Sequence, residues 1–169
     1  MAQKLAERVV EDMDWLDPVA DTVQGVIAEA VKAGGPQAQA AKDFLHGRWL
    51  GHPLHPALVA IPIGAWTATL LLDLAGMEDG ADLALTLGIV GAAGSALAGA
   101  ADWNDTSGTD RRTGLLHALL NVAALSMNVV SLVLRRNGKR TAGVALSSLT
   151  YAMVNVSGFL GGELAYSRG

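Results

Sequence analysis

The chain has 169 residues, enough for one domain with its own core. Apolar residues make up 51% of it and charged ones only 17%, a balance unusual for a soluble domain. A net charge of −4 gives no basic field to recruit nucleic acid, and the lack of cysteine excludes disulfides, thiolate metal sites, a cysteine nucleophile and a self-contained iron–sulfur cluster.

The opening "MAQKLAERVVEDMDWLDPVADTVQ" is peppered with acids and has no continuous apolar stretch, so no signal peptide is expected. Residues 19–32 place Val19, Val23, Val26, Ile27, Ala30 and Val31 at helical spacing, and "GGP" at 34–36 ends that helix. A short amphipathic helix of this kind lies on a membrane surface, rests against a partner, or forms a small soluble cap. Residues 1–45 are thus expected as an interfacial segment preceding a membrane domain over 46–169.

Next comes "HGRWLGHPLHPALVAIPIGAW", with His46, His52 and His55 at the threshold of an apolar run. His52 and His55 each precede a proline and are biased out of the helical region, while Pro56 suits the first helical position. Extended, "HPLHP" holds its imidazoles about 9 Å apart at ~3.1 Å per residue. Closed as a β-turn, its ends come within about 7 Å and can chelate. The motif permits both.

Four runs then carry almost no charge: residues 58–76, with Asp73 near the far end; 83–101; 115–134, with His117; and 142–162. About 20 helical residues at ~1.5 Å each cover the ~30 Å hydrocarbon core. A soluble bundle helix would carry charge on one face. The expected fold is therefore all-α, a four-helix transmembrane bundle with an N-terminal amphipathic helix. In the second run Gly91, Ser95 and Gly99 recur every four residues, as do Ala92, Ala96 and Ala100, the pattern that lets helices approach closely in lipid. Asp73 is expected to snorkel to an ion pair with Arg135 or Arg136.

Short connections at 77–82, 102–114 and 135–141 imply antiparallel spans with both termini on one side, for which the cytoplasm is favoured although the positive-inside rule is nearly indifferent. That layout gathers His52, His55, Asp102, Trp103, His117 and Glu163 at one membrane face, with Trp49, Trp103 and Tyr166 as an interfacial belt. On the third span His117, Asn121, Asn128 and Ser131 fall within roughly 40° of one another at about 100° per residue, with Ala124 in the gap. On the fourth, Tyr151, Asn155, Gly158 and Gly162 form a similar strip. Polar residues in lipid face the bundle interior, so the strips are expected to face each other or a shared cofactor.

Two chemistries can use this set. In the first, His55 and His117 are the axial ligands of a b-type haem, with His52 and Asn121 beside it and Arg48, Arg111 or Arg112 on its propionates. In the second, His52, His55, His117 and a carboxylate, Asp102 or Glu163, bind a zinc, iron or copper ion. A hydrogen-bonded plug with no ligand is the third possibility. His46 is expected as a solvated loop residue.

The blocks "LHGRWLGHPLHPALVAIPIGAW", "ADWNDTSGTDRRTGLLHALLN" and "GFLGGELAY" resemble the bacterial membrane family filed as domain of unknown function 2231, above all members whose four-span domain precedes a Rieske-type iron–sulfur domain. The resemblance runs from about Leu45 to Tyr166. It implies an inner-membrane, multi-pass architecture and one-electron transfer, with His52, His55, Asp102, Trp103, His117 and Glu163 as motif residues. Many relatives carry His or Asp where this chain has Ala60, and some carry His in place of Glu163. A Rieske-type partner would act in trans. Nothing resembles an acid–base pair or nucleophile in a substrate pocket, so the expectation is an electron-transfer or binding subunit in the lipid bilayer, rather than a stand-alone enzyme. The alternatives are a non-haem metal protein or a cofactor-free anchor, and self-association into a homo-oligomer is left open.

Overall fold

The computed structural model describes residues 10–166, with side chains through Phe159. It is helical throughout: a 3-10 turn over Asp14–Leu16 leads into α1 (Asp17–Leu45), followed by α2 (His55–Leu58), α3 (Ala60–Leu74), α4 (Glu78–Trp103), α5 (Gly108–Arg136) and α6 (Arg140–Tyr166). No β-strand occurs among the described residues. Four stretches are long and apolar enough to cross a membrane: His55–Leu74, Glu78–Trp103, Gly108–Arg136 and Arg140–Phe159. The all-α membrane fold expected from the charge-free runs is the fold found.

The helices overrun the apolar runs at most of their ends. Asp102 and Trp103 remain in α4, and Arg111 and Arg112 lie in the first turns of α5, so the expected 102–114 loop shrinks to residues 104–107. Backbone hydrogen bonding continues through polar residues as readily as apolar ones, and composition marks the lipid rather than the helix end.

Two breaks have local causes. In α1, Gly35 takes φ 61° and ψ −147°, a conformation that L side chains rarely adopt, and Pro36 follows without an N–H to donate. The helix expected to end at "GGP" does break there, and a second helical arm then runs to Leu45. Between α2 and α3, Val59 keeps helical dihedrals (φ −64°, ψ −19°), and only the hydrogen-bond ladder lapses. Pro62 supplies no N–H for the Leu58 carbonyl, and its ring crowds that oxygen.

Burial runs opposite to that of a soluble protein. Leu74 is 77% exposed, Val90 66% and Leu97 64%, whereas Thr69 is 2% exposed and Ser131 and Thr150 are fully enclosed. Lipid rewards apolar exposure and leaves small or hydrogen-bonded residues for helix contacts. The hydroxyls tolerate this because each bonds a carbonyl: Thr69 donates to Ala65 O at 2.9 Å and Thr150 to Leu146 O at 2.9 Å, both within their own helix, while Ser131 donates across to Gly143 O at 2.6 Å.

The described residues cluster into two compact units, one of residues 10–55, 97–118 and 159–166, the other of residues 56–96 and 119–158. In the first, Leu16, Ala20 and Leu115 form a buried apolar cluster with Met13 and Trp103 packed against it. Val19, Val23 and Val26 remain exposed on α1. In the second, α3, α4, α5 and α6 are tied by a single guanidinium. Arg135 donates from Nη1 to Asp73 Oδ1 at 2.8 Å and Asp82 Oδ1 at 3.1 Å, and from Nη2 to Asp73 Oδ2 at 2.5 Å and Ser147 Oγ at 2.8 Å. Its Nε donates to Ser131 Oγ at 3.2 Å. All five N–H donors of an arginine are thereby used.

The Asp73–Arg135 pair expected from the antiparallel layout is present, but not as a snorkelling pair. The Arg135 side chain is 0% exposed and that of Asp73 5%. Arg140 adds contacts to Asp73 at 3.1 Å, Asp82 at 3.1 Å and Glu78 at 3.3 Å, while Arg136 stays exposed.

Candidate functional site

The first unit brings two of the expected ligands together. His55 opens α2 with Pro56 second in the helix, and His117 lies two turns into α5. Both are half-buried, their ring centroids 6.2 Å apart and their planes at 89°. The His55 ring owes its place to Gly99 on α4: a Cβ there would come within 2.9 Å of both Cε1 and Nδ1. Of the two small-residue faces expected on this helix, the Gly91–Ser95–Gly99 face is the one in close contact. A Cβ on Gly91 would meet Ile61 Cγ2 at 2.6 Å, whereas Ala96 of the other face is exposed.

The remaining candidates are placed elsewhere. His52 is exposed on the turn, with its Nδ1 3.2 Å from Pro53 O. Asp102 is taken by His46, whose Nδ1–H donates to its Oδ1 at 2.8 Å. His46 Nε2 lies 3.1 Å from Asp105 Oδ2, near enough to attract a protonated ring but not aligned for a hydrogen bond. Lys42 donates to Asp105 Oδ1 at 2.7 Å, and that bond holds the Asp105 carboxyl below its usual range. His46 is therefore a half-buried bracket between the end of α1 and the turn after α4, not a solvated loop residue. Nothing in its local sequence signals this, because its partners lie more than fifty positions away.

Arg111 and Arg112, expected on haem propionates, instead clamp α1. Arg112 Nε and Nη2 reach Asp17 at 2.9 and 2.5 Å, and Arg111 bonds Asp17 at 3.2 Å and also Asp21. The Asp17 carboxyl is lowered to about 2, first by its bond to Arg112 and further by Arg111. Arg48 is largely exposed, 3.4 Å from Asp43. Trp49 is exposed as expected of a belt residue, stacked on Phe44 at 5.5 Å. Trp103 is turned inward, donating Nε1–H to Arg111 O at 2.8 Å. Gln24 completes the turn with bonds to Trp103 O at 3.0 Å and Thr106 O at 3.1 Å. Glu163 lies on α6, and its side chain, like that of Tyr166, is outside those described.

In the second unit Asn121 Nδ2 donates to Ser157 Oγ at 2.7 Å, and Ala124, Asn128 and Ser131 are buried. The polar strip expected on the third span thus does face inward. The strip on the fourth is a different one: Gly143, Ser147, Thr150 and Ser157 are buried, while Asn155 and Gly158 are exposed. Asn155 satisfies its amide on Tyr151 O at 2.7 Å, in its own helix. Tyr151 reaches the Thr67 hydroxyl at 3.1 Å.

A family model described as a predicted membrane protein, DUF2231, matches residues 51–169. The chain belongs to this family. The DUF2231 region begins one residue before His52 and takes in His55, His117 and all four apolar spans, leaving α1 outside it. No curated protein and no solved structure matches the chain.

Proposed function

We propose that the protein is a multi-pass membrane redox protein of the bacterial inner membrane that holds a b-type haem between His55 and His117. The observation that carries this reading is the separation of the two rings. Imidazole nitrogens each about 2 Å from a shared metal ion, approaching from opposite sides, set their ring centres roughly 6 Å apart. The two rings stand at 6.2 Å.

The number of ligands favours haem over a bare ion. A bare ion takes three or four protein ligands, whereas haem iron asks the protein only for its axial pair. Among the described residues no group of three His, Asp or Glu side chains is placed to hold a metal. Bound haem would supply reversible one-electron transfer. His55 and His117 would hold its iron, and Gly99 leaves the space that the His55 ring occupies. Arg48 is the candidate partner for a propionate, since Arg111 and Arg112 are already paired with Asp17 and Asp21. Even-numbered spans put both termini on one side, which we assign to the cytoplasm, and the electron partner is a separate protein of the Rieske or a similar class.

The test is a visible absorption spectrum of detergent-purified protein, oxidised and then dithionite-reduced, after expression with ample haem. The expected result is a Soret band with sharp reduced α and β bands, absent from a His117→Ala variant that keeps its helical circular dichroism. A featureless spectrum overturns the reading, as do bands that survive loss of both His55 and His117. Metal analysis of a colourless sample then separates an ion site from a cofactor-free plug.

A further inference from the structure

The second unit contains two polar groups that neither the charge network nor the histidine pair uses. Asn128 on α5 is 1% exposed and Trp66 on α3 is 6% exposed, and among the described residues neither Asn128 Nδ2 nor Trp66 Nε1 has a partner. Both sit within apolar spans, where an unpaired N–H has no lipid partner and is costly. Both also line the same small cavity, together with Thr69, Leu85, Ser147 and Ser148. Its volume is about 10 Å³, close to the room one water needs.

The chemistry of the lining selects the occupant. N–H donors repel a cation. An anion would need a positive charge to spare, and Arg135 already spends its five N–H groups. An apolar guest would leave the donors unpaired. A neutral molecule of this size that both accepts and donates hydrogen bonds is water.

Acceptors for its own protons are at hand. Thr69 donates its hydroxyl proton to Ala65 O and keeps its lone pairs. Ser147 donates to Val144 O and accepts from Arg135, which leaves one lone pair.

We propose that this cavity is a water-binding site, in which one ordered water accepts from Asn128 Nδ2–H and donates to Thr69 or Ser147. Donating to Ser147, the water would join Asn128 to the Arg135–Asp73 network, which already holds Ser131 of the same strip. The site is independent of whether the first unit carries haem.

The experiment uses whole protein in nanodiscs, labelled with ¹⁵N at asparagine, and measures cross-relaxation between side-chain amides and water. Asn128 is assigned by the peak missing from Asn128→Leu. The expected result is a cross-peak to water with the sign of a long-lived contact, weakened at least several-fold when both acceptors are removed in Thr69→Val/Ser147→Ala. An Asn128 amide that is resolved but shows no water cross-peak overturns the site. Stability gives a second reading on the same samples. Asn128→Leu lowers the melting temperature if it displaces a bound water from its partners. A raised melting temperature would mean that the cavity was dry, and would overturn the proposal too.

Discussion

Replacing Arg135 by Met tests the four-helix clamp most directly, because the change removes the guanidinium and keeps an unbranched stem. Five hydrogen bonds go with it, three of them to carboxylates. Asp73, 5% exposed, is left with Arg140 Nη2 at 3.1 Å as its charged partner. Asp82 is less affected, being 28% exposed and still 3.1 Å from Arg140. Removing one partner of a buried pair costs about 3–5 kcal/mol, because the other charge stays buried. The residual Arg140 contact places the expected loss near the lower end, at about 3 kcal/mol. Asp73→Leu costs about as much for the mirror reason.

The double variant carries the sharper test. With both buried charges gone, neither is left uncompensated, so the two losses should not add. The expected shortfall from additivity is about 2–3 kcal/mol, at the upper end of measured couplings. Reversible unfolding in mixed detergent–SDS micelles reads all four corners of the cycle. A loss under about 1 kcal/mol for Arg135→Met, or additivity within about 0.5 kcal/mol, would refute the claim that this ion pair locks the helices together.

Asp17 sets a pH dependence for the N-terminal helix. Its carboxyl is lowered to about 2 from an ordinary 3.8, so it stabilises the folded state above the ordinary value, and that contribution is lost as pH falls through about 2. Amide exchange in the first turns of α1, corrected for intrinsic rates, should accelerate between about pH 4 and pH 2, and Asp17→Asn should abolish that step; an unchanged step in the variant would remove Asp17 as its cause. Gly143→Ala places a methyl 2.7 Å from Arg135 Cγ and 2.8 Å from Ser131 O, so it should cost about 1–3 kcal/mol in the same micelle assay, and a neutral outcome would mean that α5 and α6 can part there cheaply. Asn121→Leu, which removes the bond to Ser157, should cost only about 0.6–1.7 kcal/mol, the range for single interhelical hydrogen bonds in lipid; a larger loss would give the pair a role beyond packing.

Much of this architecture can be read from the chain because lipid imposes a one-dimensional rule. A span must be long and nearly free of charge, so the four runs stand out whatever they pack against. The antiparallel layout follows from short connections, and from it the meeting of His55 with His117 and of Asp73 with Arg135. What the chain hides is how polar groups choose among several partners. Asp82 and Arg140 look like loop charges in "MEDGAD" and "RRNGKRT", yet both are within a bond's reach of the buried Asp73–Arg135 pair. Arg111 and Arg112 look like anion partners at the membrane face, yet an aspartate about ninety positions earlier holds them.

The misplaced strip on the fourth span shows which property decides such choices. Tyr151 and Asn155 attract attention because their side chains are conspicuously polar, whereas Ser147, Thr150 and Ser157 look unremarkable. In lipid a large polar group can satisfy itself on its own helix, as Asn155 does on Tyr151 O, and remain outside. Small residues have no comparable use on the lipid face, since only at a contact does their size let backbones approach and their hydroxyls bond across. The better guide to a buried face is therefore the run of Gly, Ser and Thr at spacings of four, three and seven, here 143, 147, 150 and 157, with conspicuous polarity second. By the same rule Gly99, which has no side chain at all, says more about the candidate site than the exposed His52 does. Its missing Cβ leaves the His55 ring the space beside α4 that a methyl would take.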